Sequence, residues 1–144
     1  VEPEIPNNTG SIARTCAATG APLHLVKPLG FKTDDKHLKR AGLDYWQYVE
    51  IYYWDSLTHF IEANRNQRFF LFTKKAEKLY TDAAYQKDDF LIFGGETRGL
   101  PDDFLALHWE QRVRIPIFNP RIRSLNLAAS AAIALYEAIR QTQT

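Results

Sequence analysis

The sequence predicts an α/β fold built on a parallel sheet flanked by helices. Three observations carry that prediction. Phe69–Thr73 (FFLFT) and Phe90–Phe93 (FLIF) are short, continuously apolar runs, the pattern of strands covered on both faces. From Arg112 the chain alternates, with Val113, Ile115 and Ile117 on one side, which is the period of a strand. Strand and helix signals follow one another along the chain at a spacing that reads as βαβ units.

Residues 1–6 are expected to be extended or turning, because Pro3 and Pro6 restrict their neighbours. The sequence has no Met, and Val1 runs straight into this proline-rich turn, so a strand at the amino end is expected to be cut short. NNTGSIARTCAATG then reads as a helix. Asn7, Asn8 and Thr9 are possible caps and Gly20 is its stop. At about 100° per residue, Ile12, Cys16 and Thr19 share a face and Arg14 lies roughly opposite, near the first turn. Arg14 is either a solvated arginine or a contact for phosphate or substrate beside the NNTG loop.

Leu23–Leu29 (LHLVKPL) reads as a strand that Pro28 ends. Asp34 or Asp35 can cap a short basic helix carrying Lys36, His37, Lys39 and Arg40, closed by Gly42. That cluster is either a solvated face or a rim that neutralises phosphates. Tyr45, Trp46, Tyr48, Tyr52, Tyr53 and Trp54 follow, placed to pack in a core or a subunit contact, or to stack on bases. Val49 and Ile51 suggest a second strand. Asp55 is the expected cap of a helix with Leu57, Phe60 and Ile61 inward. After FFLFT comes a polar segment with Lys74, Lys75 and Lys78. Beyond FLIF, Pro101 can open a helix with Leu105 facing in. Pro116 ends the hydrogen-bonded part of the last strand. A polar, arginine-bearing loop, Asn119–Asn126, leads into Leu127–Tyr136, which is apolar almost all round. A helix without a polar face is expected to be buried.

The 144 residues suit one domain, 1–144, with one core. Apolar residues are 45% and charged residues 24%, the balance of an ordinary globular chain. A formal net charge of +1 gives no global attraction to nucleic acid, so any such binding must come from local patches. The single cysteine, Cys16, leaves no internal disulfide or cysteine-based zinc cluster and fits a reducing compartment. No signal peptide opens the sequence and no stretch suits a membrane span.

Three polar loops follow strands or open helices: NNTG, GGETRG and NPRIRSLN. Ligands of open α/β sheets sit outside the carboxyl ends of strands, so these loops are the candidate site. Gly94, Gly95 and Gly99 allow turns and close backbone approach. The middle loop is not GxGxxG, which weakens a dinucleotide reading. No Walker A motif and no GxSxG elbow occurs, and His24, His37, His59 and His108 lack metal-ligand spacing.

EPEIPNNTGSIARTCAATG, FGGETRGLP and RIPIFNPRIRSLNLAASAAIALYEA together resemble the three motifs of the SPOUT superfamily of methyltransferases. The resemblance covers nearly the whole chain. It is nearest to the bacterial tRNA (cytidine/uridine-2'-O-)-methyltransferases that modify the first anticodon nucleotide. It implies an α/β-knot, with the carboxyl-terminal part threaded through a deep trefoil knot, S-adenosylmethionine as cofactor, no metal, a homodimer and a cytoplasmic location. The implied substrate is tRNA, through its anticodon stem-loop, at the wobble nucleotide (cytidine or modified uridine) of leucine tRNAs. By motif, the cofactor contacts are Leu71, Phe72, Thr73, Phe93, Gly94, Gly95, Glu96, Gly99, Ile115, Pro116, Ile117, Ser124, Leu125 and Asn126. The catalytic group is Arg14, Asn8 and Asn126, with Arg98 and Arg123 as loop or phosphate support. Gly95 stands where relatives often carry proline, serine or another small residue. The alternatives are a 2'-O-methyltransferase for another tRNA or rRNA site, a non-catalytic RNA-binding protein of this fold, and a nicotinamide or flavin enzyme.

Overall fold

A computed structural model describes residues 1–42 and 45–143. The chain forms two compact units, Val1–Arg65 with Gly95–Thr97, and Asn66–Gly94 with Arg98–Thr144. Both carry parallel strands with helices, as expected.

The first unit contains helix α1 (Pro6–Thr19), strand β1 (Leu23–Val26), helix α2 (Lys36–Gly42), a 3₁₀ turn (Tyr45–Tyr48), strand β2 (Ile51–Trp54) and helix α3 (Leu57–Ala63). Helix α1 starts earlier than expected. Ile5 is its extended N-cap and Pro6 takes the first helical turn, where the missing N–H leaves nothing unsatisfied. Asn7, Asn8 and Thr9 are therefore inside the helix rather than caps. Arg14 consequently falls in the third turn, not near the first. It is exposed, while Thr9, Ala13 and Cys16 form the buried stripe; Ile12 and Thr19 are only half-buried. Gly20 ends the helix as expected: its φ is 78° and its N–H donates to Cys16 O at 2.8 Å, a backbone shape that suits glycine.

Strands β1 and β2 run parallel, from Leu23 opposite Ile51 to Val26 opposite Trp54. Strand β1 stops at Val26, short of the expected Leu29, because β2 itself ends at Trp54, whose carbonyl takes the N–H of Lys27 at 2.8 Å. Asp35 caps α2, accepting from His37 N at 2.7 Å. The cap of α3 is Ser56, not Asp55: its Oγ accepts from His59 N at 3.0 Å. Leu25, Val26, Leu38 and Phe60 are the large buried side chains of this unit.

The second unit holds strands β3 (Phe69–Phe72), β4 (Phe90–Phe93) and β5 (Arg112–Val113), and helices α4 (Asp102–Leu107) and α5 (Leu127–Thr142). The sheet order is β4-β3-β5 with both pairings parallel. The crossover from β3 to β4, a polar segment by sequence, carries a 3₁₀ turn, Tyr80–Asp82. Pro101 precedes α4 and Leu105 is buried, as expected. Strand β5 is shorter than the alternation of Val113, Ile115 and Ile117 implies. Arg114 leaves β3 and exchanges hydrogen bonds with the 78–80 segment: its N–H donates to Lys78 O at 2.9 Å and Tyr80 N donates to its carbonyl at 2.8 Å. Pro116 then has no N–H to continue a ladder. The core joins Phe72, Ala83, Tyr85, Val113 and Ala134.

Helix α5 differs most from expectation. Only Ala131 and Ala134 are buried, while Ile133 is 39% and Tyr136 55% exposed. The buried positions are small residues, and Leu127, Leu135 and Ile139 are half-buried.

Candidate functional site

The second unit brings several expected cofactor residues to one end of its sheet. The register sets Phe72 beside Phe93 and beside Val113. The chain continuing from each of these strand ends is Thr73, Gly94 and Arg114–Ile117. Thr73 N donates to Val113 O at 2.9 Å, and Thr73 Oγ1 accepts from Lys75 N at 3.2 Å. Lys74 Nζ donates to Arg123 O at 3.2 Å, so the loop after β3 is tied to the segment that leads into α5. Lys74 was not singled out from sequence, where it read as one of three lysines in a polar segment. Asn126 caps α5, its Oδ1 accepting from Ala129 N at 3.0 Å. Leu71 is buried, Phe93, Ile115, Pro116, Ile117 and Leu125 are half-buried, and Arg98, Arg123 and Ser124 are exposed.

The turn after β4 closes so tightly that glycine is required at its start. A Cβ at Gly94 would lie 2.1 Å from the Gly99 carbonyl carbon and 2.3 Å from Leu100 N. Gly99 has a φ of 66°, which side chains disfavour. Gly95, Glu96 and Thr97 belong to the first unit, where Glu96 organises the start of α1. Its carboxylate accepts from Glu4 N (2.8 Å), Ile5 N (2.8 Å) and Asn8 Nδ2 (3.1 Å). A negative group here also faces the positive end of the helix dipole. Thr97 Oγ1 donates to the Glu4 carboxylate at 2.6 Å. Burial alone would push the Glu96 carboxyl up, but the hydrogen bonds from Glu4 N–H, the Asn8 amide and Ile5 N–H outweigh it and hold the group below the usual glutamate range. Sequence reasoning placed Asn8 and Glu96 in separate loops with separate roles. Their direct bond spans 88 residues of sequence, which no local pattern reveals.

Arg14 extends from α1 into a different setting. Its guanidinium carbon lies 5.3 Å from the centroid of the Tyr45 ring, within cation–π range. Among the described residues, no group of three or more His, Cys, Asp or Glu side chains could hold a metal ion. No described helix is long and apolar enough to cross a membrane.

The model of the SpoU rRNA methylase family matches residues 1–136. The tRNA (cytidine(34)-2'-O)-methyltransferase of Escherichia coli K12 is 48% identical over 141 residues, covering 97% of this chain and 89% of that protein. A solved structure described as "Structural insights into the 2-OH methylation of C/U34 on tRNA" is 48% identical with a TM-score of 0.92, covering 97% of this chain and 91% of that one. The S-adenosylmethionine-bound rRNA methyltransferase of Sinorhizobium meliloti is 29% identical with a TM-score of 0.84, over 95% of this chain and 52% of that one. The chain belongs to the SpoU rRNA methylase family, and its fold is that of the SPOUT, or α/β-knot, methyltransferases.

Proposed function

We propose that this protein transfers a methyl group from S-adenosylmethionine to the ribose 2'-hydroxyl of the wobble nucleotide of leucine tRNAs, cytidine or modified uridine, as a cytoplasmic homodimer of one methyltransferase domain. The observation that carries this reading is near-full-length identity with the Escherichia coli tRNA (cytidine(34)-2'-O)-methyltransferase, at 48%. S-adenosylmethionine supplies, when bound, an electrophilic methyl on a sulfonium.

The residues of the second unit fit that group. Leu71–Thr73, Phe93, Gly94, Gly99, Ile115–Ile117 and Ser124–Asn126 are uncharged, so these positions offer a neutral cofactor body main-chain groups and apolar or neutral polar side chains. Gly95 and Glu96 complete the set assigned by motif. The Lys74 bond to Arg123 O holds two of these segments together. Arg14 receives the role of orienting a substrate phosphate and stabilising negative charge that develops on the attacking oxygen. A guanidinium offers donors and no acceptor, so the hydroxyl proton is assigned to that phosphate. Asn8 keeps its place in α1 through Glu96, and Asn126 through its cap on α5. Holding donor and hydroxyl together supplies much of the rate in such a transfer. For the dimer, the exposed Ile133 and Tyr136 of α5 are the surface we assign to the partner subunit.

A second reading, methylation of an rRNA ribose, is favoured by the family description and by the Sinorhizobium relative. Mapping 2'-O-methyl marks in RNA from cells lacking the gene separates the two. Loss at the first anticodon position of leucine tRNAs supports the proposal. An unchanged anticodon with a missing rRNA mark overturns it.

A further inference from the structure

Next to Arg14, the first unit carries aromatic and cationic side chains to which the methyl-transfer chemistry assigns no role. In a 3₁₀ turn, residues three apart lie one above the other. The turn Tyr45–Tyr48 therefore presents Tyr45 and Tyr48 on the same side. Both rings are exposed, Tyr45 at 39% and Tyr48 at 66%. Trp46, between them in sequence, is half-buried with its indole nitrogen out of solvent. Arg14 lies over Tyr45, which leaves Tyr48 as the most open ring of the turn. The turn and helix α2 both pack on α1, and α2 buries Leu38 while leaving Lys36, Lys39 and Arg40 exposed.

Exposed rings among cations match one kind of partner better than others. A duplex hides its base faces and offers chiefly phosphates and groove edges, so rings would add little beside the cations. An unpaired nucleotide offers both a phosphate for the cations and a π-face for a ring. The exposed cations of the 32–40 segment, Lys32, Lys36, Lys39 and Arg40, outnumber its two carboxylates, Asp34 and Asp35, one of which is engaged as the α2 cap. That balance suits a polyanion rather than an apolar protein partner.

We propose that Tyr48 is a stacking platform for an unpaired base of the substrate RNA, with Lys36, Lys39 and Arg40 on its phosphates and Tyr45 holding Arg14. This rests on the methyltransferase reading, and deepens it: the enzyme grips looped-out nucleotides beside its target ribose, not the stem alone.

The test is binding of the full chain, by fluorescence anisotropy at fixed salt, to a synthetic anticodon stem-loop and to the same stem closed as an uninterrupted duplex. Tyr48→Ala is expected to weaken stem-loop binding about tenfold and leave duplex binding unchanged. Tyr48→Phe, which keeps the ring, should bind like wild type, and Tyr48→Leu, which keeps bulk without the ring, should bind like the alanine variant. The salt dependence should be unchanged by these substitutions and flattened by replacing Lys36, Lys39 and Arg40 together. Equal stem-loop affinity for Tyr48→Ala and wild type, or equal losses on both RNAs, overturns the platform. If wild type binds S-adenosylmethionine and methylates tRNA while Tyr48→Ala is indistinguishable from it, the platform alone fails. If wild type binds neither RNA nor S-adenosylmethionine, the functional reading fails and the platform with it.

Discussion

Glu96 accepts from two backbone N–H groups and the Asn8 amide, so Glu96→Ala leaves the entry to α1 without its acceptor. Hydrogen bonds to a charged group contribute about 1.5–3 kcal/mol when shielded. This carboxylate is partly open to solvent, so we expect a loss of about 1–2 kcal/mol in urea unfolding. The pH dependence has a definite sign. The folded carboxyl titrates below its ordinary value of 4.5, so its contribution is fully present above pH 4.5 and is lost as pH falls through the lower folded value. Glu96→Gln should therefore flatten the acid limb of the stability curve. An unchanged acid limb would mean that the clamp is absent in solution. Two glycines make a further contrast. Gly94→Ala would force a methyl into backbone at 2.1 Å and should prevent the turn from closing, read as a large drop in melting temperature. At Gly20 a Cβ would meet nothing within 4 Å, so Gly20→Ala costs only the left-handed conformation, about 1 kcal/mol.

At the scale of elements, Asn126 has two separable duties. It caps α5, and loss of such a cap costs about 1 kcal/mol. Asn126→Ala should lower stability by about that amount and also lower methyl transfer. Aspartate is an equally good cap, so Asn126→Asp should restore the melting temperature. If it restores turnover as well, Asn126 serves only as a cap. By contrast, Lys75–Asp102, at 2.6 Å, joins two exposed side chains. Its removal should leave the urea midpoint essentially unchanged.

The elements also show which features can be read from the chain alone. FFLFT and FLIF became β3 and β4 because continuous apolarity suits strands covered on both faces. Gly20 and Pro101 marked boundaries because backbone shape there depends on the residue itself. Other features depend on distant partners. The early start of α1 follows from Pro6, with an acceptor supplied by Glu96. Strand β5 is short because Arg114 pairs with Lys78 and Tyr80. The apolar run of α5 implied burial, which one chain only partly provides. The family was legible in three motifs, whose types and order carried the resemblance and define the candidate site. The bond between Asn8 and Glu96, the Lys74 tether and the Tyr45 seat of Arg14 were not, because each joins residues far apart in sequence.

For the whole molecule, the exposed Ile133 and Tyr136 give the dimer proposal a direct consequence. Tyr136→Asp places a charge on that face and should shift sedimentation from dimer to monomer; a wild-type monomer, or a variant that stays dimeric, contradicts the assignment. The proposed methylation of a tRNA ribose depends on Arg14. Its most direct test is transfer of labelled methyl from S-adenosylmethionine to leucine tRNA, with wild type and Arg14→Ala side by side. We predict turnover by wild type at the first anticodon ribose, and at least a hundredfold loss in the variant (~10²–10³ for one transition-state donor) with S-adenosylmethionine affinity retained. Wild-type protein that binds tRNA and S-adenosylmethionine yet transfers no methyl, or a variant as fast as wild type, would contradict it.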